Sequence, residues 1–407
     1  MHRLKNNYEM IKASKCISFM LLMSVMLIVT TTCCHGADTS SKDSEESSST
    51  DTELQVDGML SEYDFSDIDK TAGQYGYSGS FEDILKQIIG EGMGATGTGS
   101  GWTGKMMNIL DKTILISLRG NKLAVVQIIL LSVLSAAVRC FGATSKNSQV
   151  SDVTQMIISI SLMGILLAAF VSASAICADA INMCINMYKS IIPVFFSLVM
   201  LVSGSTTAAV YYEVVLILIT AVNMLFGNVL LVVDKIYLLF AMADNAAGEE
   251  LFSKAVEFIP SIIKWSCKGT LIFFTGLGGI KSMIAPLSDS VKKNIFYKAM
   301  EIVPGIGNSV EAVSQTVLGA GSIIKNGIGT AAVIILLVVN MIPVLKLAVL
   351  ACLFKVTAVV LEPVTDKRII RLVNSASIAI GLLTQMLLTV LSLFVLMVAI
   401  ICMTTGR

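Results

Sequence analysis

The sequence has little charge, very little histidine and no cysteines spaced for a metal ion. Charged residues make up 14% of its 407 residues, against about 25% in typical soluble domains. The two histidines, His2 and His35, both lie in the first 35 residues. Downstream of them, a histidine-based catalytic triad, zinc site or proton relay is excluded. The nine cysteines include no CxxC pair, so we expect no metal site, no cofactor and no enzymatic activity.

Apolar residues dominate what remains, at 55% of the chain with a mean hydropathy of +0.79. About 20 apolar residues cross a bilayer as a helix. The pattern predicts an all-α, polytopic integral membrane helical bundle with about eight transmembrane helices (range six to nine), broken or re-entrant segments and amphipathic surface helices. The third predicted span is short and is alternatively re-entrant. The spans are 123–142, 156–178, 184–204, 208–233, 267–286, 328–345, 347–363 and 376–403.

The first 80 residues have a composition unlike the rest. Residues 1–36 place basic residues before the apolar run Ile17–Val29, which is typical of a signal peptide. An uncleaved anchor, or lipidation at Cys33 or Cys34, are the alternatives. Residues 37–80 are acidic and rich in serine, which predicts a disordered extracytoplasmic segment.

Residues 81–122 are predicted to form two amphipathic helices joined by a glycine-rich hinge. The first helix has apolar residues at helical spacing, namely Phe81, Ile84, Leu85, Ile88 and Ile89. Gly99–Lys105 resembles a phosphate-binding loop, but Met106 stands where a magnesium ligand is required and no strand precedes it. We therefore interpret the loop as a hinge. Residues 123–407 form the polytopic transmembrane domain.

The stretch from Glu301 to Leu361 is the most informative part of the domain. Pro304 and two glycines open it, and Pro343 and Lys346 lie near the middle of its apolar run, which predicts two short helices meeting at a break. Glu213 is the acid to mutate first, although an interfacial carboxylate explains it equally well. A weak internal repeat between 191–210 and 302–333 stays open. The candidate pathway or packing residues are Glu213, Pro304, Gly305, Gly319, Gly321, Gly327, Gly329, Pro343 and Lys346.

The distribution of basic residues around the short loops predicts an extracytoplasmic start and, with eight spans, an extracytoplasmic end. Buried apolar surroundings are expected for Cys177 and Cys184. We expect no nucleic-acid partner.

Two segments resemble the stage III sporulation protein AE family of endospore-forming bacteria. They read IVPGIGNSVEAVSQTVLGAGSIIKNGIG at 302–329 and IPVLKLAVLACLFKVTAVVLEPVTDKRIIRLVNS at 342–375. The resemblance implies a multi-spanning component of the channel or secretion-like complex that joins mother cell and forespore, in the mother-cell membrane around the forespore. It also implies ring-forming and membrane partner subunits, a separate cytoplasmic ATPase subunit and a possible homo-oligomer. A stand-alone secondary transporter coupled to Glu213, and a non-conducting assembly scaffold, remain the alternatives.

Overall fold

The computed structural model describes residues 64–74, 80–82, 85, 122–140, 148–203, 205–247, 252–300 and 307–404, and within them it is helical with no strand. This confirms the all-α prediction. Five helices in this part of the chain are long and apolar enough to cross a membrane, so the count of eight is not confirmed. The helices are α1 (Ser66–Gln74), α2 (Lys122–Cys140), α3 (Ser148–Ser203), α4 (Ser205–Val222), a π-helix (Asn223–Leu230), α5 (Leu231–Ala247), α6 (Ser253–Met300), α7 (Gly307–Leu361) and α8 (Lys367–Thr404).

The predicted spans 156–178 and 184–204 are a single helix, α3, which also contains Pro193. Asp179 lies between these two predicted spans and Lys189 lies near the start of the second, and both lower the local hydropathy. A charged residue does not, however, interrupt helical hydrogen bonding. Proline removes one donor, and neighbouring groups re-satisfy the freed carbonyl in a membrane helix. The separate third span and its re-entrant alternative are therefore wrong.

The same correction applies to α7, where spans 328–345 and 347–363 are one 55-residue helix that passes through Pro343. The predicted break at Pro343 and Lys346 is absent. A lysine at this position keeps the helix intact because its long side chain reaches outward, and Lys346 is indeed exposed.

The predicted span 208–233 extends further than expected. Helix α4 runs directly into the π-helix and then into α5, so helical structure continues to Ala247. The predicted span 267–286 lies inside α6, and this helix is not among the five candidates found in the described residues.

Helix α8 is the centre of the bundle. In its apolar window 72% of the residues are buried, whereas 17% are buried in the window of α2. Tyr188 of α3 stacks on Phe394 with 4.9 Å between ring centroids. The Ser377 hydroxyl donates a 2.8 Å hydrogen bond to the Ala351 carbonyl of α7. Helices α3, α5, α6 and α7 all pack against α8.

Helix α3 changes its environment halfway along. Its first half exposes large apolar side chains, with Val153, Met156 and Ile157 each at least 59% exposed. Its second half, from Cys177 to Phe195, buries most of its apolar side chains in the bundle. The first half therefore has the surface of a lipid-facing helix, and the second half has that of a protein core.

Helix α1 docks on this second half of α3. The Thr71 and Ser190 hydroxyl oxygens lie 3.0 Å apart, and Ile68 is buried in the common core. Asp67 and Lys70 remain exposed on the outer face of α1. Charged side chains are costly in hydrocarbon, so this face is expected to contact water. The Ser190 region, on which α1 packs, would then lie close to an aqueous boundary. The expectation of disorder for 37–80 is thus wrong for Ser66–Gln74.

Two carboxylates hold α1 in place. Asp64 accepts a 2.9 Å hydrogen bond from the Ser66 amide before the helix starts, and this bond lowers the pKa of the Asp64 carboxyl. Asp69 accepts a 2.7 Å hydrogen bond from the Phe81 amide. Phe81 in turn lies against Phe65, with 5.3 Å between ring centroids.

Helix α2 is tied to the turn between α7 and α8. Arg139 forms a 3.0 Å ion pair with Asp366, and the Thr365 hydroxyl lies 3.5 Å from the Ser132 carbonyl. Arg139 lies near the end of a predicted span, where a basic side chain is expected to reach solvent. In the structure it has a specific ion-pair partner as well.

Candidate functional site

The predicted glycine cluster lies at the buried approach of α7. Gly327 and Gly329 are buried, together with Ala331 and Ala332. Small residues on a membrane helix let neighbouring backbones approach closely. Gly319 and Gly321 belong to the same helix, and their side-chain surroundings lie outside the described residues, as do Pro304 and Gly305 entirely.

The other predicted site residues are not brought into this cluster. Pro343 is half-buried, and Lys346 is exposed on the same helix. Glu213 in α4 is exposed next to Tyr212, whose ring lies 5.1 Å from that of Phe196. An exposed carboxylate beside an aromatic pair has the surroundings of an interfacial residue more than those of an interior site.

A buried amide joins α3 and α7. Asn340 is 0% exposed and donates a 2.9 Å hydrogen bond to the Leu336 carbonyl of its own helix. Its Oδ1 accepts a 3.2 Å hydrogen bond from the Cys184 thiol. Both Cys177 and Cys184 are buried, which confirms the prediction for these two cysteines.

More polar groups follow along the inner face of the bundle. The Cys177 thiol donates to the Leu383 carbonyl at 3.5 Å, and Thr389 donates to the Gln385 carbonyl at 2.8 Å. The Cys267 thiol of α6 is buried as well. A series of hydroxyl, thiol and amide groups therefore lies where α3, α6 and α7 meet the central helix α8.

One charged residue was missed by the sequence reading. Asp234 in α5 is 0% exposed, and neither of its carboxylate oxygens has a hydrogen-bond partner among the described residues. The predicted span 208–233 ends one residue before Asp234, and Asp234 is not among the predicted site residues. The available signal was a lone acidic position in the apolar sequence NVLLVVDKIYLLF, because an acid inside such a run is costly and is usually functional.

The arrangement offers packing and polar contacts more than covalent chemistry. Within the described residues, no group of three or more His, Cys, Asp or Glu residues is placed to hold a metal ion. The buried Cys177 and Cys184 thiols donate to a backbone carbonyl and to a side-chain amide oxygen, which is the environment of structural cysteine.

Comparison with known proteins gives a match over nearly all of this bundle. A family model described as Stage III sporulation protein AE (spore_III_AE) matches residues 80–405. The chain belongs to the stage III sporulation protein AE family. A curated relative from Bacillus subtilis (strain 168), named Stage III sporulation protein AE, is 21% identical over 237 residues. That alignment covers 58% of this chain and 59% of the relative. No solved structure matches the chain.

Membership of the stage III sporulation protein AE family confirms the resemblance found in 302–329 and 342–375. It implies a role in sporulation. The matched range starts at the Phe81 contact and includes α2 to α8, so the buried glycines, the Asn340 contact and Asp234 all belong to the family region of the chain.

Proposed function

We propose that this family member is a multi-spanning component of the channel or secretion-like complex between mother cell and forespore, and that it forms or gates a conduit there. Its place would be the mother-cell membrane around the forespore. The observation that carries this proposal is the family match over residues 80–405, which covers a bundle with five candidate membrane spans.

The interior of the bundle supports a conduit over a passive scaffold. Interhelical hydrogen bonds such as the one from Cys184 to Asn340 hold membrane helices together in a scaffold and a conduit alike. Asp234 is different, because it is buried and neither of its carboxylate oxygens has a hydrogen-bond partner among the described residues. Polar residues in membrane helices characteristically face a bundle interior or a water-filled path.

The proposed partners are the ring-forming and membrane subunits of the same complex, with energy supplied by a separate cytoplasmic ATPase subunit. The support on this chain is the incomplete phosphate-binding loop at Gly99–Lys105, which Met106 deprives of a magnesium ligand. A nucleotide would therefore act on another subunit.

The proposal is tested by enlarging the buried side of α7. We expect Gly329→Leu to reduce spore formation strongly while the protein still assembles with its complex, because a leucine in the buried glycine cluster forces α7 away from its neighbours. Gly269→Leu is the matched control, since Gly269 is exposed and a Cβ there meets no atom within 4 Å. Spore counts and co-purification of the complex are measured separately.

The two measurements distinguish the candidate functions. Loss of spores with intact assembly supports the conduit, whereas loss of both supports a scaffold. A stand-alone transporter is favoured if the chain co-purifies with no other subunit. Glu213→Gln tests the ion-coupled form of that transporter, and we expect this variant to sporulate normally because Glu213 is exposed.

A further inference from the structure

Asp234 lies at a position where a charged carboxylate is energetically unfavourable. It is in the apolar candidate span Val215–Ala246, is fully buried, and has two oxygens without a hydrogen-bond partner in the described part of the chain. An acidic side chain in the centre of a membrane helix costs about 2.5–3.5 kcal/mol on insertion scales. A residue that is retained at such a cost needs a function or a bound counter-ion.

The groups facing Asp234 are weak acids that are neutral at neutral pH. Its carboxylate lies within electrostatic range of the Cys177 thiol of α3 and of the Tyr237 hydroxyl on its own helix. The Tyr237 side chain is itself buried. On α6 Cys267 is buried, whereas Lys268 next to it is exposed, as is Lys235 next to Asp234. The adjoining π-helix contains no charged residue, and the charges of α8 are confined to its first turns at Lys367, Arg368 and Arg371.

This environment suits a proton better than a metal ion. Ca²⁺ takes six or more oxygen ligands and Mg²⁺ a near-complete octahedron, and a structural Zn²⁺ takes four ligands, whereas Asp234 interacts electrostatically with one thiol, Cys177, and one phenol, Tyr237. The described residues contain no metal-binding group of three or more acids, cysteines or histidines. A bound proton neutralises the carboxylate without any further ligand.

The helix next to Asp234 has an uncommon geometry. The π-helix Asn223–Leu230 ends four residues before Asp234, and π-helical segments are rare and frequent at functional sites. Relaxation of a π-helix to an α-helix shifts the register by one residue and turns the following residues by about 100° around the axis. Such a turn moves Asp234 away from its present position between α3 and α8.

We propose that Asp234 is an exchangeable proton-binding site in the membrane interior, and that the adjoining π-helix allows the carboxyl to reorient between proton uptake and release. The ligand is a proton, and the site lies among α3, α5, α6 and α8. The proposal requires that the chain spans the membrane and does not depend on its role in sporulation.

Dicyclohexylcarbodiimide tests the site directly in the purified full-length protein in phosphatidylcholine vesicles. This apolar reagent reacts only with a protonated carboxyl. The carboxyl oxygen bonds to the carbodiimide carbon, the proton moves to nitrogen, and the acyl group then migrates to nitrogen as a stable N-acylurea with no leaving group. Peptide mass spectrometry locates the adduct.

We expect the adduct on Asp234 at neutral pH and at least about tenfold less of it at about pH 9, since an exchanging site releases its proton as pH rises. Exposed Glu213 is the internal control and should remain unmodified by this reagent. No adduct on Asp234 near neutral pH overturns the site. An adduct that is equally abundant at alkaline pH overturns exchange, and protection by sodium chloride at constant pH overturns the assignment to a proton.

Two variants link the site to function. Asp234→Asn keeps the shape and holds the side chain neutral, so it should fold, lose the adduct and reduce spore formation by at least about tenfold at an unchanged membrane level. Asp234→Glu should retain the adduct and part of the sporulation. Normal sporulation of the Asp234→Asn variant would show that sporulation does not require proton exchange at this site. The labelling experiment tests the site itself and does not depend on the role in sporulation.

Discussion

At the scale of single residues, the informative positions are buried polar groups with few partners. Asn340 and Cys184 satisfy each other across two helices, whereas Asp234 is left without a hydrogen bond in the described residues. A satisfied buried pair stabilises one packing arrangement, and an unsatisfied acid destabilises it unless a proton neutralises it. The two situations call for different experiments.

The contact between Asn340 and Cys184 can be measured with a double-mutant cycle. We expect Asn340→Ala and Cys184→Ala to be less destabilising together than the sum of the single changes, by about 0.5–1.5 kcal/mol, because each single change already removes the shared hydrogen bond. Thermal unfolding of the detergent-solubilised protein gives the free energies. Strict additivity would show that the 3.2 Å contact contributes no stability.

Glycines in the membrane helices differ in what surrounds them. Gly→Ala in a helix usually stabilises by about 0.5–1 kcal/mol, and we expect this for Gly164→Ala, where a Cβ meets nothing within 4 Å. In Gly227→Ala the new Cβ lies 3.0 Å from the Asn223 Oδ1, so the asparagine has to move and the gain should be smaller or reversed. Equal melting temperatures for the two variants would contradict this prediction.

At the scale of helices, the main result is that proline does not interrupt them. Helix α7 continues through Pro343, so an alanine there adds the missing amide without changing the fold. We expect Pro343→Ala to leave the melting temperature unchanged or raised, and Ala348→Pro, five residues further on, to cost about 3 kcal/mol or more. Lost sporulation in a stable Pro343→Ala variant would show that a break at this position is needed after all.

The helix boundaries show what sequence reasoning can and cannot find. Apolar runs predicted helical membrane segments correctly at 123–142 and 376–403, because long uncharged runs have few other solutions in lipid. The runs around Lys189 and Lys346 were divided wrongly, since a hydropathy average falls at a charge while the helix itself continues.

Two further elements were missed for related reasons. Helix α1 has Phe65, Ile68 and Ala72 at helical spacing, but the surrounding acidic and serine-rich composition obscured this short amphipathic pattern. Asp234 was missed because it coincided with a predicted span end. Gly327 and Gly329, which the sequence predicts as pathway or packing residues, are buried in α7, and their role stays a prediction.

At the scale of the whole molecule, thiol accessibility separates eight spans from the observed arrangement. The eight-span topology puts a loop at 179–183, next to Cys177 and Cys184, whereas the structure buries both thiols inside the bundle. We expect a membrane-impermeant maleimide applied to intact vesicles and to vesicles opened by freeze–thaw to leave both unlabelled. A Lys254→Cys variant is the control, because Lys254 is exposed at the start of α6. Rapid labelling of Cys184 would restore the loop.

We expect the two halves of α3 to make the protein sensitive to the thickness of the bilayer. Its apolar stretch of 45 residues is about 68 Å long, more than twice the roughly 30 Å of hydrocarbon. The lipid-facing half adjusts its tilt when membrane thickness changes. Because α3 is one continuous helix, a change in the tilt of its first half also moves its second half, which packs against α8. A change in bilayer thickness would thereby be transmitted through α3 to the core of the bundle.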